Sequence, residues 1–273
     1  MSAFVHLVCD YADGDMAWAE VVAALACRLH EDTRLHRTAV HPFDTISTGF
    51  VVAQLALSSK ELRPANMLVF ANTAPRKDRR EARQHNEGEG LLFATLKNGV
   101  QVLAVNSGYT LSFVRDEIQE LWTTNVEEHG SQFRSRDFFP LAVSKAARGD
   151  FSFIETKLDI TEQIPEEPKE VIGYIDSFGN IKTTIRNGDA KVANLAPGAR
   201  VKVTIDSHTS TATIATGSFN VMEGDLAFAP GSSGHDRRFW ELFKRGGSAS
   251  FEFGHPTAGS AIKIQPAEIE NRK

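Results

Sequence analysis

From Phe4 to about Phe153 the apolar residues follow two alternating rhythms. Short runs rich in β-branched and aromatic residues give way to stretches in which apolar positions return every three to four residues. That mixture is the pattern of an α/β layer protein. FVHLVCD predicts the first strand. Asp15 can cap the helix that follows, on which Trp18, Val22, Leu25 and Leu29 share one face. Thr45 to Leu57 predicts a second helix, with Phe50, Leu55 and Leu57 among its apolar positions. NMLVFAN and LLFATLKNGVQVLAVNSG supply further strands, the last two joined across Asn98-Gly99, a dipeptide suited to a tight hairpin. Arg115 to Trp122 and Phe139 to Ala147 read as helical.

At ITEQIPEEPKEV the pattern stops, and acids and prolines with little to bury mark a linker. Beyond it come short alternating runs, ARVKVTI, TATIA, ASFEF and AIKI, broken by Gly, Pro and Asn. The predicted architecture is therefore an N-terminal three-layer α/β domain over 1–160 with a mostly parallel sheet. A linker over 161–171 leads to a smaller antiparallel β-barrel-like domain over 172–273.

Composition narrows the partners. The chain has 273 residues, 41% of them hydrophobic, enough for more than one packed interior. A formal charge of -5 gives no general attraction to nucleic acid or to an anionic membrane. The two cysteines, Cys9 and Cys27, form no CxxC, and the nine histidines never fall in HxH or HExxH spacing. No disulfide framework and no metal site is expected, which fits a reducing compartment. The N-terminal stretch lacks a basic segment followed by an apolar run, and no apolar stretch approaches the roughly 18 residues of a membrane span. A soluble cytoplasmic protein is the expectation. The Walker, GxGxxG and GxSxG patterns are all missing.

Candidate chemistry sits at strand ends. CDYADGD places acids just past the carboxyl end of the first strand, where open α/β sheets hold ligands. Asp10 there could accept bonds from two sugar hydroxyls, or simply end the strand. In NTAPRKDRREAR the acids Asp78 and Glu81 interleave with five basic residues, as on a solvated face, and one arginine could reach an anionic group. SQFRSRDFFP sets Arg134, Ser135, Arg136 and Asp137 ahead of an apolar helix. GYIDSFGNIKTTI reads as two strands whose join carries Asp176, Phe178 and Asn180, either ordinary turn residues or part of a small-molecule site.

Taken in order, these pieces resemble a known family. The acid-bearing first strand, HPFDTISTGFVVAQLAL, VNSG, RDFFPLAVSKAARG, YIDSFGNIKTTI, GSSG and GGSA are similar in order and spacing to the S-adenosylmethionine hydrolases and to the related fluorinase and chlorinase. The resemblance covers nearly the whole chain, and its most specific element is the Asp-x-Phe-Gly-Asn hairpin. It implies that Asp10 grips ribose hydroxyls, that Asp15 lies near the methionine end, and that Asp176 holds the methionine ammonium. It further implies that Asn180 recognises adenine beside Phe178, that Phe219 packs on adenine, and that Ser233 helps bind the methionine group. No cofactor is implied, since S-adenosylmethionine is the substrate. The family's trimers hold the ligand between one subunit's N-terminal domain and its neighbour's C-terminal domain.

In this family a nucleophile attacks the ribose 5′ carbon and expels methionine. The hydrolases orient water with an Asp, an Arg and a His; the matching positions here are Asn72, Arg79 and Arg134, and Ser135 stands where the fluorinase has a halide-contacting Ser. Asn cannot take a proton from water, and Arg effectively never releases its own. Three activities are therefore implied: cleavage of S-adenosylmethionine by water or hydroxide to adenosine and L-methionine, attack by a halide, or binding of the compound without turnover.

Overall fold

The computed structural model describes residues 3–76, 80–82, 87–127 and 130–267. The chain forms two compact units, 1–167 and 168–273. This division falls inside the acid- and proline-rich segment. The first residues of that segment form a short helix, α5 (Ile160–Gln163), capped by Asp159, and belong to the first unit.

In the first unit β1 (Phe4–Cys9) lies parallel to both β2 (Arg34–Ala39) and β3 (Met67–Asn72). Helix α1 (Met16–Ala26) connects β1 to β2, and α2 (Thr45–Ala56) connects β2 to β3. Asp15 caps α1, its Oδ1 accepting the Ala17 N–H at 2.8 Å. Trp18, Val21 and Leu25 are buried; Leu29, just beyond the helix end, still packs against the same core. Next come β4 (Leu91–Leu96), β5 (Gln101–Val105), β6 (Ile118–Thr124) and β7 (Ile154–Lys157), giving the order β2-β1-β3-β5-β4-β6-β7. The β4–β5 turn is the expected one: Gly99 has φ 83 and Asn98 Oδ1 accepts the Val100 N–H.

The sheet is mixed. It is parallel from β2 through β5 and antiparallel from β5 through β7, so the expected parallel character is confined to one half. Alternate residues of β1, Val5, Leu7 and Cys9, point into a core shared with α1 and with the helix α4 (Phe139–Ala147), which follows the short α3 (Arg134–Asp137). Helix α2 packs on β1 and β3 from the other face, making three layers.

One expectation fails here. Arg115 to Trp122 is not a helix; a 3-10 turn over Ser112–Glu117 runs directly into β6. The register of β6 against β4 slips at Thr95/Leu96, so the buried residues Ile118 and Leu121 fall three apart, and with Thr124 buried three further on the run imitates a helix in the sequence. Pairing with β4 supplies the backbone partners that a solitary helix would have had to find within itself.

The second unit is a curled sheet of β8 (Ile172–Ile175), β9 (Ile181–Arg186), β10 (Arg200–Ile205), β11 (His208–Ile214), β12 (Leu226–Pro230), β13 (Phe239–Lys244) and β14 (Ile262–Pro266). The order is β14-β10-β11-β12-β13-β9-β8, antiparallel except for β11–β12. A bridge between Val171 and Ala261, with the Ile172 N–H donating to Ser260 O and the Ile262 N–H to Glu170 O, ties the first strand to the last. The sheet thereby closes on a core of Ile172, Val203, Phe228, Trp240 and Leu242. ASFEF, expected as a strand, is the one-turn helix α6 (Ala249–Glu252). Ser248 caps it through the Phe251 N–H, and Ala249 and Phe253, four apart, enter the core together.

Candidate functional site

The first unit gathers its polar side chains at the carboxyl ends of β1 and β3. Asp10 follows β1, its N–H donating to Asn72 O and its Oδ2 accepting the Phe43 N–H at 3.0 Å. Burial raises the Asp10 pKa above the ordinary carboxylate value; the amides of Phe43, Asp10 and Ala74 and the charge of Arg76 oppose that rise. Phe43 and Arg76 both have positive φ, 65 and 58, an uncommon conformation for side chains of their size. In each case the strained residue aims its amide at a carboxylate, Phe43 at Asp10 and Arg76 at Glu89 Oε1 (2.8 Å).

Asn72 and Ser135, distant in sequence, meet on one phenol. Asn72 Nδ2 donates to the Tyr11 hydroxyl at 2.8 Å, and the same oxygen lies 2.6 Å from Ser135 Oγ. Asn72 and Ser135 are both buried. Tyr11 is fixed edge-on against Trp18 and Phe133, and its carbonyl accepts the Trp18 indole N–H. Burial also raises the Tyr11 pKa, so the group stays a neutral phenol.

Arg134 faces a different partner. Its Nη1 donates to Glu89 O at 2.6 Å, its Nη2 lies 3.7 Å from Glu89 Oε2, and the guanidinium sits over the Phe139 ring. Gly88 is what permits this approach, since a Cβ there would lie 2.0 Å from Arg134 Nη2. The positive charge of Arg134 is thus largely spent on a buried carboxylate. Arg79 lies outside the described residues. Asp15 is an exposed helix cap, and of the sequence candidates it alone lines a cleft of about 710 Å³ with Trp18, Leu35, His36 and Arg37. The lining of that larger cleft includes neither Asp10 nor Asn72, and the converging polar groups make the strand ends the better candidate site. Tyr11 and Glu89 were not among the sequence candidates. The available signals were a phenol directly after the strand-ending acid, and an acid held between two glycines ahead of an apolar run.

In the second unit the hairpin of β8 and β9 accounts for much of its own composition. Asp176 Oδ1 accepts the N–H groups of Phe178 and Asn180, and Oδ2 accepts Asn180 Nδ2, each at 3.0 Å. Lys182 Nζ is 3.7 Å from Asp176 and 2.8 Å from Glu241. Gly179, at φ 79, is pressed against Ser248, and its carbonyl accepts the Ser250 N–H. Phe178 and Phe219 are 78% and 83% exposed, so neither ring serves the core. Asn180 and Phe219 line one cleft of about 480 Å³ with Arg238, Glu241, Phe243 and Arg245, and Arg245 lies over the Phe219 ring. Ser233 is buried next to this lining, its carbonyl accepting the Phe239 N–H. Among the described residues no group of three or more His, Cys, Asp or Glu is placed to hold a metal ion, and no helix is long and apolar enough to cross a membrane.

Solved structures share this two-unit α/β fold. The crystal structure of an uncharacterized conserved protein from Thermotoga maritima matches with a TM-score of 0.74 at 19% identity, over 96% of this chain and 100% of that one. A conserved hypothetical protein from Thermus thermophilus matches with a TM-score of 0.68 at 16% identity, over 97% and 100% of the two chains. At such identities the likeness is one of fold, and function has to be argued from the site. No family model matches the sequence, and no curated protein matches it.

Proposed function

We propose that this protein binds S-adenosylmethionine and cleaves it at the ribose 5′ carbon with water or hydroxide, giving adenosine and L-methionine. Support comes from one observation: Asn72 and Ser135, the residues matching the family's reaction centre, converge on Tyr11 directly beside the half-buried Asp10. A carboxylate held in this way can accept two ribose hydroxyls, while exposed Phe219 and the carboxamide of Asn180 suit a purine. The leaving group departs as a neutral thioether, so the reaction asks for no general acid. Alignment and a partly desolvated nucleophile are what the site has to supply. A cytoplasmic homotrimer belongs to this proposal, checked by light scattering on the purified protein.

A second activity, attack by a halide, is favoured by the Asn72 amide, which donates to Tyr11 and cannot accept a proton from water. Incubation of the purified protein with S-adenosylmethionine, with and without chloride, followed by chromatography, separates the two. Adenosine with methionine is expected; a 5′-halogenated nucleoside would identify the second activity. Tight binding without turnover would leave a binding protein, and neither binding nor consumption would refute the proposal.

A further inference from the structure

Three polar hydrogens meet at Tyr11: one on the Asn72 amide, one on the phenol and one on the Ser135 hydroxyl. The two contacts, from Asn72 Nδ2 at 2.8 Å and with Ser135 Oγ at 2.6 Å, use two of them. Because the amide donates, the phenol either donates to Ser135 or accepts from both neighbours. Each arrangement leaves one hydroxyl hydrogen over. Among the described residues neither hydroxyl has another acceptor. A buried donor without a partner is costly, so this hydrogen favours an acceptor arriving in the site. The phenol cannot swing away to relieve it, since its ring is wedged between Trp18 and Phe133.

We infer that Tyr11 is a positioning residue that fixes the hydrogen-bond polarity of the site, so that the Tyr11–Ser135 pair offers a hydrogen to a small anionic nucleophile, hydroxide or halide. This rests on the proposed cleavage of S-adenosylmethionine and specifies its nucleophile. In the reaction a lone pair of the anion forms the new bond to the 5′ carbon, and the carbon–sulfur pair leaves with sulfur. The negative charge of the anion and the positive charge of the sulfonium cancel, and no proton is transferred. A neutral water at the same place would need a lone pair from the protein to take its proton, and the network turns a hydrogen toward it instead.

The polarity can be reversed by one atom. In Asn72→Asp the new carboxylate only accepts, so the phenol hydrogen turns to it and the Ser135 hydrogen turns to the phenol. Both hydroxyl hydrogens are then spent, and the Ser135 lone pairs face the site.

Bromide NMR line broadening tests this without requiring turnover. Wild-type protein should broaden the bromide line. Asn72→Asp, which spends both hydroxyl hydrogens, should weaken bromide binding about 10- to 150-fold, the worth of one hydrogen bond to a charged group, and Tyr11→Phe, which keeps the packed ring and the Ser135 hydrogen but breaks the relay, should remove most of the effect of Asn72→Asp. Calorimetry with S-adenosylmethionine should find all variants within about twofold of wild type. In the product assay Asn72→Asp should shift product toward adenosine, and Tyr11→Phe should abolish that shift with KM for S-adenosylmethionine unchanged. An equal loss of bromide broadening from Asn72→Asp in the wild-type and in the Tyr11→Phe background would overturn the inference even if S-adenosylmethionine is cleaved. Loss of broadening in Asn72→Asp that Tyr11→Phe relieves, with no S-adenosylmethionine binding to wild type, would uphold the anion site and remove the cleavage proposal.

Discussion

Asp176 has two candidate duties, holding its own turn and holding a ligand ammonium, and two substitutions separate them. Its carboxylate accepts three hydrogen bonds within the hairpin, two from backbone amides and one from Asn180 Nδ2. The turn is partly solvated, so each bond sits near the low end of the usual net value, about 0.5 to 1 kcal/mol. Lys182 at 3.7 Å adds at most about 1 kcal/mol, because it keeps Glu241 as a closer partner. Asp176→Ala should therefore cost about 2 to 3 kcal/mol in urea unfolding. Asp176→Asn can keep Oδ1 on both backbone amides and sets its new amide against that of Asn180, so about 1 kcal/mol is lost. Ligand affinity behaves differently. A carboxylate gripping an ammonium is worth about 1.5 to 3 kcal/mol, so Asp176→Asn should weaken S-adenosylmethionine about 10- to 150-fold by calorimetry, while adenosine, without the ammonium, changes little. Unchanged S-adenosylmethionine affinity in a folded Asp176→Asn protein would refute the ligand role. A loss under about 0.5 kcal/mol in Asp176→Ala would refute the turn energetics.

Two further outcomes follow from buried groups in the first unit. Gly88→Ala drives a Cβ into Arg134 and displaces the guanidinium from Glu89, whose side chain is 4% exposed. Outright loss of a buried ion pair costs about 3 to 5 kcal/mol, but the arginine can swing and the Arg76 amide remains on Glu89, so about 2 kcal/mol should be lost in urea unfolding. Stability within about 0.5 kcal/mol of wild type would show that Arg134 moves freely. His6, bonded to Thr38 and next to His36, has its pKa lowered by burial, and then by the His36 charge, from 6.5 to about 4. The unfolded chain thus takes up this proton at a higher pH than the folded protein. Stability present above pH 6.5 should fall as the pH drops toward 4, by up to about 3 kcal/mol, and His6→Gln should flatten that limb of a Tm-against-pH curve. An identical acid limb in the variant would refute the assignment.

Local signals were sufficient where an element is organised by its own residues. Asp15 and Asp44 cap the helices whose apolar faces the sequence displays, Asn98-Gly99 makes its turn, and Phe139 to Ala147 is α4 from end to end. They misled where a distant partner sets the spacing. The slip of β6 against β4 put Ile118 and Leu121 at a helical interval, and the cap of α6 overrode a strand-like run. The site divides in the same way. Asp10, Asn72 and Ser135 could be named from strand ends and motif order. That Tyr11 joins Asn72 to Ser135 depends on contacts spanning 61 and 124 residues, and that Glu89 absorbs Arg134 depends on one spanning 45. No window of sequence contains those pairs.

The pairing of Arg134 with Glu89 also changes where the attraction for an anion must come from. Two arginines beside a serine would draw an anion by charge and would keep it bound whether or not substrate were present. With Arg134 neutralised, the described groups around Tyr11 offer hydrogen bonds, while Asp10 contributes negative charge of its own. In the proposed reaction the positive charge nearest the reacting carbon would then be the sulfonium of S-adenosylmethionine, which the cleavage destroys. The hydroxyl hydrogen holds an anion weakly by itself; with the proposed substrate bound, the sulfonium adds its charge and withdraws it as the carbon–sulfur bond breaks. On this proposal the protein need only align the two ions, and the partial burial of Asp10 and the packing around Tyr11 limit the screening by water.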